Sequence, residues 1–108
     1  MTRYVRVDYT VKPDIDLDNR KAEIHEFVAA IHSHHPEHRY TSFQDPANPR
    51  RFIHIGELVE EALPDLQKQP FFRHFTEYLP GQCSVGPEVA RLDRVASTAA
   101  EAGVLSLG

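Results

Sequence analysis

The residues of this 108-residue chain that could do chemistry are histidines, tyrosines and one arginine. His54 stands among Phe52, Ile53 and Ile55, a setting in which an imidazole needs a hydrogen-bond partner or a ligand to supply one. Such a group is a candidate general base, because its proton affinity lies near neutrality and responds to burial. His74, beside Phe72 and Phe75, is the second candidate and is expected to point into the same space between a sheet and its helices. Tyr9 and Tyr40 fall on strand-like segments and offer hydroxyls to a ligand. Arg51 offers a cation to an anionic intermediate. Each also has a structural reading: a satisfied or surface histidine, a packing tyrosine, an exposed hairpin arginine.

Seven histidines are present, and His32, His34, His35 and His38 cluster, with His25 seven positions before His32. A metal site needs imidazoles converging at about 2 Å from the ion. Pro36 interrupts this cluster and no carboxylate or cysteine completes a motif, so no metal is expected there. The segment reads instead as a polar helix end, where a protonated imidazole suits the dipole. Cys83 is the only cysteine. No intrachain disulfide can form, a reducing cytoplasmic setting is expected, and no base is paired with the thiol to make it reactive. Phosphate-binding glycine loops, nucleophile elbows and paired-carboxylate signatures are all missing from the sequence.

These residues are positioned by a readable order of elements. Val5, Val7, Tyr9 and Val11 alternate with Tyr4, Arg6, Asp8 and Thr10, a period of two that predicts a strand over 3–11. Pro13 ends it, and Asp14, Asp16 and Asp18 supply caps and first-turn charge for a helix. Leu17, Ile24, Phe27, Val28 and Ile31 form its apolar stripe, which should end near His34, because Pro36 disfavours helical geometry at His35. Residues 39–45 and 50–58 read as strands around Pro46-Ala47-Asn48-Pro49, a hairpin. Centred on Ala47-Asn48, it would set Thr41 opposite His54 and Phe43 opposite Phe52 on one face. Tyr40 opposite Ile55 and Ser42 opposite Ile53 would share the other. A helical stretch over 59–68 and a short helix over 71–79 follow, the latter stopped by Pro80-Gly81. Residues 88–96 read as a last strand.

Strand, helix, strand, strand, helix, strand predicts an α+β, ferredoxin-like βαββαβ fold with a four-stranded antiparallel sheet and helices on one face. One domain over 1–97 and a small-residue-rich C-terminal tail over 98–108 are expected. The bare sheet face asks for cover, and a homodimer is the economical way to provide it. A hydrophobic fraction of 41%, a charged fraction of 26% and a net charge of −4 are those of an ordinary globular domain. With no long basic run, nucleic acid is not an expected partner. The longest apolar run, Phe27 to Ile31, has five residues, so no membrane span is expected.

The segment Tyr40-Thr41-Ser42-Phe43-Gln44-Asp45-Pro46, then Pro49 to Ile53 leading to Glu57, resembles the antibiotic biosynthesis mono-oxygenase-like family of dimeric α/β-barrel proteins. Glu61-Ala62-Leu63, Pro70-Phe71-Phe72 and the strand from Val89 to Val95 continue the resemblance, which covers roughly residues 3–97. It implies a cofactor-independent mono-oxygenase acting on a small phenolic or quinol-like aromatic, with no metal or flavin. His54 or His74 would then be the base, Tyr9 and Tyr40 would bind the ligand, and Arg51 would stabilise a phenolate or enolate. Three departures are visible. Leu66 stands where members often carry a histidine, Leu58 where an aromatic commonly closes the third strand, and haem degradation is not implied by a first strand offering Val5, Val7 and Tyr9 in a chain without tryptophan. The alternative is a non-catalytic small-molecule-binding or interaction module of the same fold.

Overall fold

In the computed structural model, which describes residues 1–98, the alternation of the first segment becomes β1 (Thr2–Val11). Then come α1 (Leu17–His34), β2 (Arg39–Asp45), β3 (Asn48–Val59), a 3-10 turn at Glu60–Ala62, α2 (Leu63–Lys68), α3 (Pro70–Gln82) and β4 (Cys83–Leu92). The strands form one antiparallel sheet in the order β2-β3-β1-β4, so β3 and β1 are central. This is the α+β βαββαβ arrangement read from the sequence. Apart from Thr98, the expected tail lies outside the described residues.

Local chemistry accounts for most boundaries. Asp16 caps α1 by accepting the Asp18 and Asn19 N–H groups at 2.9 and 3.1 Å. The helix ends at His34, with His35 already extended ahead of Pro36. Several boundaries differ from expectation: β3 begins at Asn48, inside the expected turn, and α2 begins only at Leu63, after the 3-10 turn. α3 runs through Pro80 to Gln82, because a proline in the final turn forfeits only one intrahelical donor. β4 therefore begins at Cys83, in what reads as a loop, and ends at Leu92. It bulges against β1 between Asp8 and Thr10, where Gly86 has φ +80° and a Cβ would meet the Asp8 carbonyl oxygen at 2.7 Å.

The hairpin register also differs, by one residue, and this matters most. Tyr40 lies opposite Gly56, Ser42 opposite His54 and Gln44 opposite Phe52, before the ladder shifts to Asp45 opposite Asn48. Pro49 has no N–H to give the ladder, so β3 carries extra residues there. The Gln44 side-chain amide donates to the Pro49 carbonyl at 2.7 Å, and Asp45 accepts the Ala47 N–H at 2.8 Å. Because side chains alternate, a slip of one exchanges the faces of a whole strand. Tyr40 thereby joins His54 instead of opposing it.

The inward face of the sheet packs on the helices in two clusters. Tyr9, Val11, Ile24, Phe52, Leu79 and Cys83 make one; Phe27, Ile31, Leu58, Leu63 and Leu66 make the other. Phe27 and Phe75 stack between them at 4.0 Å. Each fully buried side chain of this kind is worth about 1.5–3 kcal/mol. On the outward face, Ile53 and Ile55 are half-buried, and Phe43 is 53% exposed.

Candidate functional site

β3 aims its even-numbered residues inward, so Phe52, His54, Gly56 and Leu58 are buried while their odd-numbered neighbours are not. His54 is 1% exposed and is flanked diagonally from both adjacent strands. Its Nε2 lies 2.9 Å from the Tyr9 hydroxyl on β1, and its Nδ1 lies 2.9 Å from the Tyr40 hydroxyl on β2. Gly56 makes the second bond possible. A Cβ there would stand 3.0 Å from Val5 Cγ2 and 3.3 Å from Tyr40 Cδ2, in the space across which the Tyr40 ring lies.

A neutral imidazole has one donor and one acceptor, so one tyrosine gives it a proton and the other accepts one. Tyr9 is buried, and His54 is the partner of its hydroxyl. The arrangement that leaves no buried proton unsatisfied has Tyr9 donating to Nε2 and Nδ1–H donating to Tyr40. The Tyr40 O–H is then free to meet a ligand. Burial first, and the Arg20 charge second, hold His54 down to about 4. Burial pushes both tyrosines up. All three groups are therefore neutral at pH 7.

Tyr40 and His54 form part of the wall of a cavity of about 330 Å³ between sheet and helices. Its other walls are mostly apolar, with Val5, Val7, Phe27, Leu58, Phe72 and Phe75, while Arg3, Gln67 and Thr76 add polar groups. That volume and composition suit a small aromatic ligand fixed by a few polar contacts.

Tyr9, expected to bind the ligand, does not line the cavity and meets only His54 through its hydroxyl, and two further expected site residues are elsewhere. His74 lies on the exposed side of α3, its ring 4.5 Å from that of Tyr78, because the inward side of that helix is taken by Phe72, Phe75 and Leu79. Arg51 is on the outward face of the sheet. It holds Asp8 through two bonds of 3.0 and 2.7 Å, which keeps that carboxyl below its usual range, and it bonds Asp45 at 3.3 Å, a carboxyl held low first by the Ala47 N–H and then by Arg51. Neither residue reaches the cavity.

Sequence reasoning passed over Arg20 and Gly56. Arg20 is 2% exposed and shares the inward side of α1 with Ile24, Phe27 and Ile31. Its spacing of four and seven from Ile24 and Phe27 was the available signal. It pairs with the half-exposed Glu23, and its guanidinium carbon lies 5.4 Å from the centroid of the Phe75 ring.

The histidine-rich segment has a structural role. His34 bonds Asp65 at 2.7 Å, and buried His38 accepts the Val59 N–H at 3.0 Å, joining the end of α1 to β3. Burial also lowers the proton affinity of His38. Among the described residues no group of three or more His, Cys, Asp or Glu side chains could hold a metal ion. The buried Cys83 thiol donates to the Leu79 carbonyl at 3.2 Å and is pushed up by burial, away from reactivity. No helix among the described residues is long and apolar enough to cross a membrane.

A ferredoxin-like sheet carrying a tyrosine-flanked histidine beneath an apolar cavity is thus the class that fold and site define. The solved structures it resembles carry this fold too. One, titled as an antibiotic biosynthesis monooxygenase, superposes with a TM-score of 0.72 over 89% of this chain and 100% of its own, at 19% identity. A protein from Mycobacterium tuberculosis gives 0.76 over 92% and 100%, at 11% identity. SnoaB, a cofactor-independent oxygenase from Streptomyces nogalater, gives 0.71 over 89% and 95%, at 14% identity. No protein-family model and no curated protein matches the chain. The chain has the fold of the antibiotic biosynthesis monooxygenases, as the resemblance in the hairpin and second helix implied.

Proposed function

We propose that this chain is a cofactor-independent mono-oxygenase that binds a small phenolic or quinol-like aromatic in the cavity and oxidises it with O₂. The observation that carries this reading is the Tyr9–His54–Tyr40 chain, which ends with one hydroxyl at the cavity wall. An electron-rich phenol reacts with O₂ once it is deprotonated, because the phenolate can pass an electron to oxygen. Tyr40 meets the ligand hydroxyl, and His54 backs it as the proton acceptor by taking its other tautomer, with Nε2–H donating to Tyr9 and Nδ1 accepting the Tyr40 proton as Tyr40 takes the ligand's. Apolar walls exclude water from the reacting pair. The fold shared with a cofactor-independent oxygenase supports the reading. A second copy of the chain, lying on the outward sheet face with Phe43, Ile53 and Ile55, completes the protein as a homodimer.

A specific observation favours a second reading, that of a binding module without turnover. An imidazole held to about 4 is a weak base for an ordinary phenol. Oxygen uptake with 1-naphthol or hydroquinone separates the two. Turnover that falls at least about tenfold in both His54→Ala and Tyr40→Phe, but not in His74→Ala, supports the oxygenase. Turnover untouched by the first two substitutions refutes the mechanism. A probe that raises the melting temperature without oxygen uptake selects the binding module.

A further inference from the structure

Arg20 is a buried cation with capacity to spare. Its Nη2 is taken by Glu23, but Nε and Nη1 are buried and make no hydrogen bond within the described residues. A guanidinium in that position has lost its water without full repayment, and Glu23, half-exposed, neutralises it only in part. The guanidinium lies over Phe75, whose ring also forms a wall of the cavity. The cavity itself contains no carboxylate among the described residues that line it. Its one charged lining residue, Arg3, is a second cation, paired with Glu60 at 3.1 Å. At the sheet, the polar groups are Tyr40 and His54, both neutral and hydrogen-bonded to each other.

We infer that the cavity takes its aromatic ligand as an anion, a phenolate or the enolate of an acidic hydroxyl, with Arg20 as the counter-charge and Tyr40 donating to the oxyanion. This rests on the cavity being the ligand site, as in the proposed function, and puts loss of the proton to solvent in place of its transfer to His54. It narrows the ligand to aromatics whose hydroxyl ionises near neutral pH. On binding, the hydroxyl proton goes to solvent and no electron moves. His54 then remains neutral, as its burial and the nearby Arg20 favour, and serves to orient Tyr40. Arg20 acts through the field it sets up from behind Phe75, so it is a positioning residue and not a contact. The other ionisable groups that sense Arg20 are Glu23 on the same helix, Tyr9 on β1, His54 on β3 and Cys83 at the start of β4. Tyr40 on β2 and Arg3 at the cavity wall complete the set around the ligand.

The test uses 4-nitrophenol, whose yellow phenolate reports its own ionisation, and 4-nitroanisole, an isostere that cannot ionise. Wild-type protein should lower the apparent pKa of bound 4-nitrophenol by about one unit. Above neutral pH it should favour this probe over the anisole by about tenfold. Arg20→Gln should abolish the shift, and Arg20→Lys should restore most of it, a pattern that a merely structural role would not produce. If Arg20→Gln does not fold, the wild-type comparison of the two probes still decides. A bound nitrophenol that titrates at or above its free value, or equal affinity for the anisole, overturns the inference and leaves the cavity reading standing. Failure of both probes to bind at any pH overturns the cavity reading, and this inference with it.

Discussion

Lowering the pH from 7 to 4 should cost this protein about 3 kcal/mol of folding stability through His54 alone. Unfolded, the imidazole takes up a proton near 6.5; folded, it is held down to about 4 by burial and by Arg20. Each tenfold difference in proton affinity is worth about 1.4 kcal/mol. The sign follows from which state binds the proton. Above 6.5 both states are neutral at this position and nothing is lost. Below it the unfolded chain gains a proton that the folded site refuses, so stability falls, by about 2 kcal/mol at pH 5 and about 3 kcal/mol at pH 4. Below 4 the folded site protonates too and the loss levels off. Urea unfolding of wild type and His54→Gln across this range isolates the contribution, because His38 and the carboxylates titrate in both. The two stability profiles should diverge as pH falls, with wild type losing more. Parallel profiles, or an imidazole carbon resonance of His54 titrating near 6.5 by NMR, would refute the reasoning.

Gly56→Ala places a methyl 3.0 Å from Val5 and 3.3 Å from the Tyr40 ring. It should destabilise the fold by about 1–3 kcal/mol and weaken binding of a phenolic probe by displacing Tyr40; unchanged stability and binding in denaturation and titration would show that the gap is not used. Static light scattering at micromolar concentration should report about twice 12.3 kDa, and Ile55→Glu should shift that value toward the monomer; a monomer at every concentration tested would refute the dimer.

Much of this architecture is legible in local chemistry, and the failures have definite causes. The alternation of Val5, Val7, Tyr9 and Val11 identifies both the strand and its inward face, and Asp16 and Pro36 bracket α1. His54 stands out because strands alternate and its even-numbered neighbours are apolar. The hairpin register is not local. It depends on where the strand absorbs Pro49, and a count of turn residues misplaces that by one, enough to put Tyr40 on the wrong face. His74 fails for a related reason, since adjacency to Phe75 in sequence is a turn of about 100° on a helix. Arg20 is hidden by its type: a charged residue on an amphipathic helix reads as solvated even when it occupies the apolar stripe.

The division of β3 into inward and outward residues bears on how such a chain can change over generations. His54, Leu58 and, through the Tyr40 ring, Gly56 answer to the cavity, while Arg51, Ile53 and Ile55 lie on the other side of the sheet. The two sets interleave, yet no side chain serves both. A lineage can therefore change the cavity side of this strand while keeping the outward side, or the reverse, by substitutions that skip every second codon. Insertion or loss of a single residue in this strand is the one change that would strike both at once.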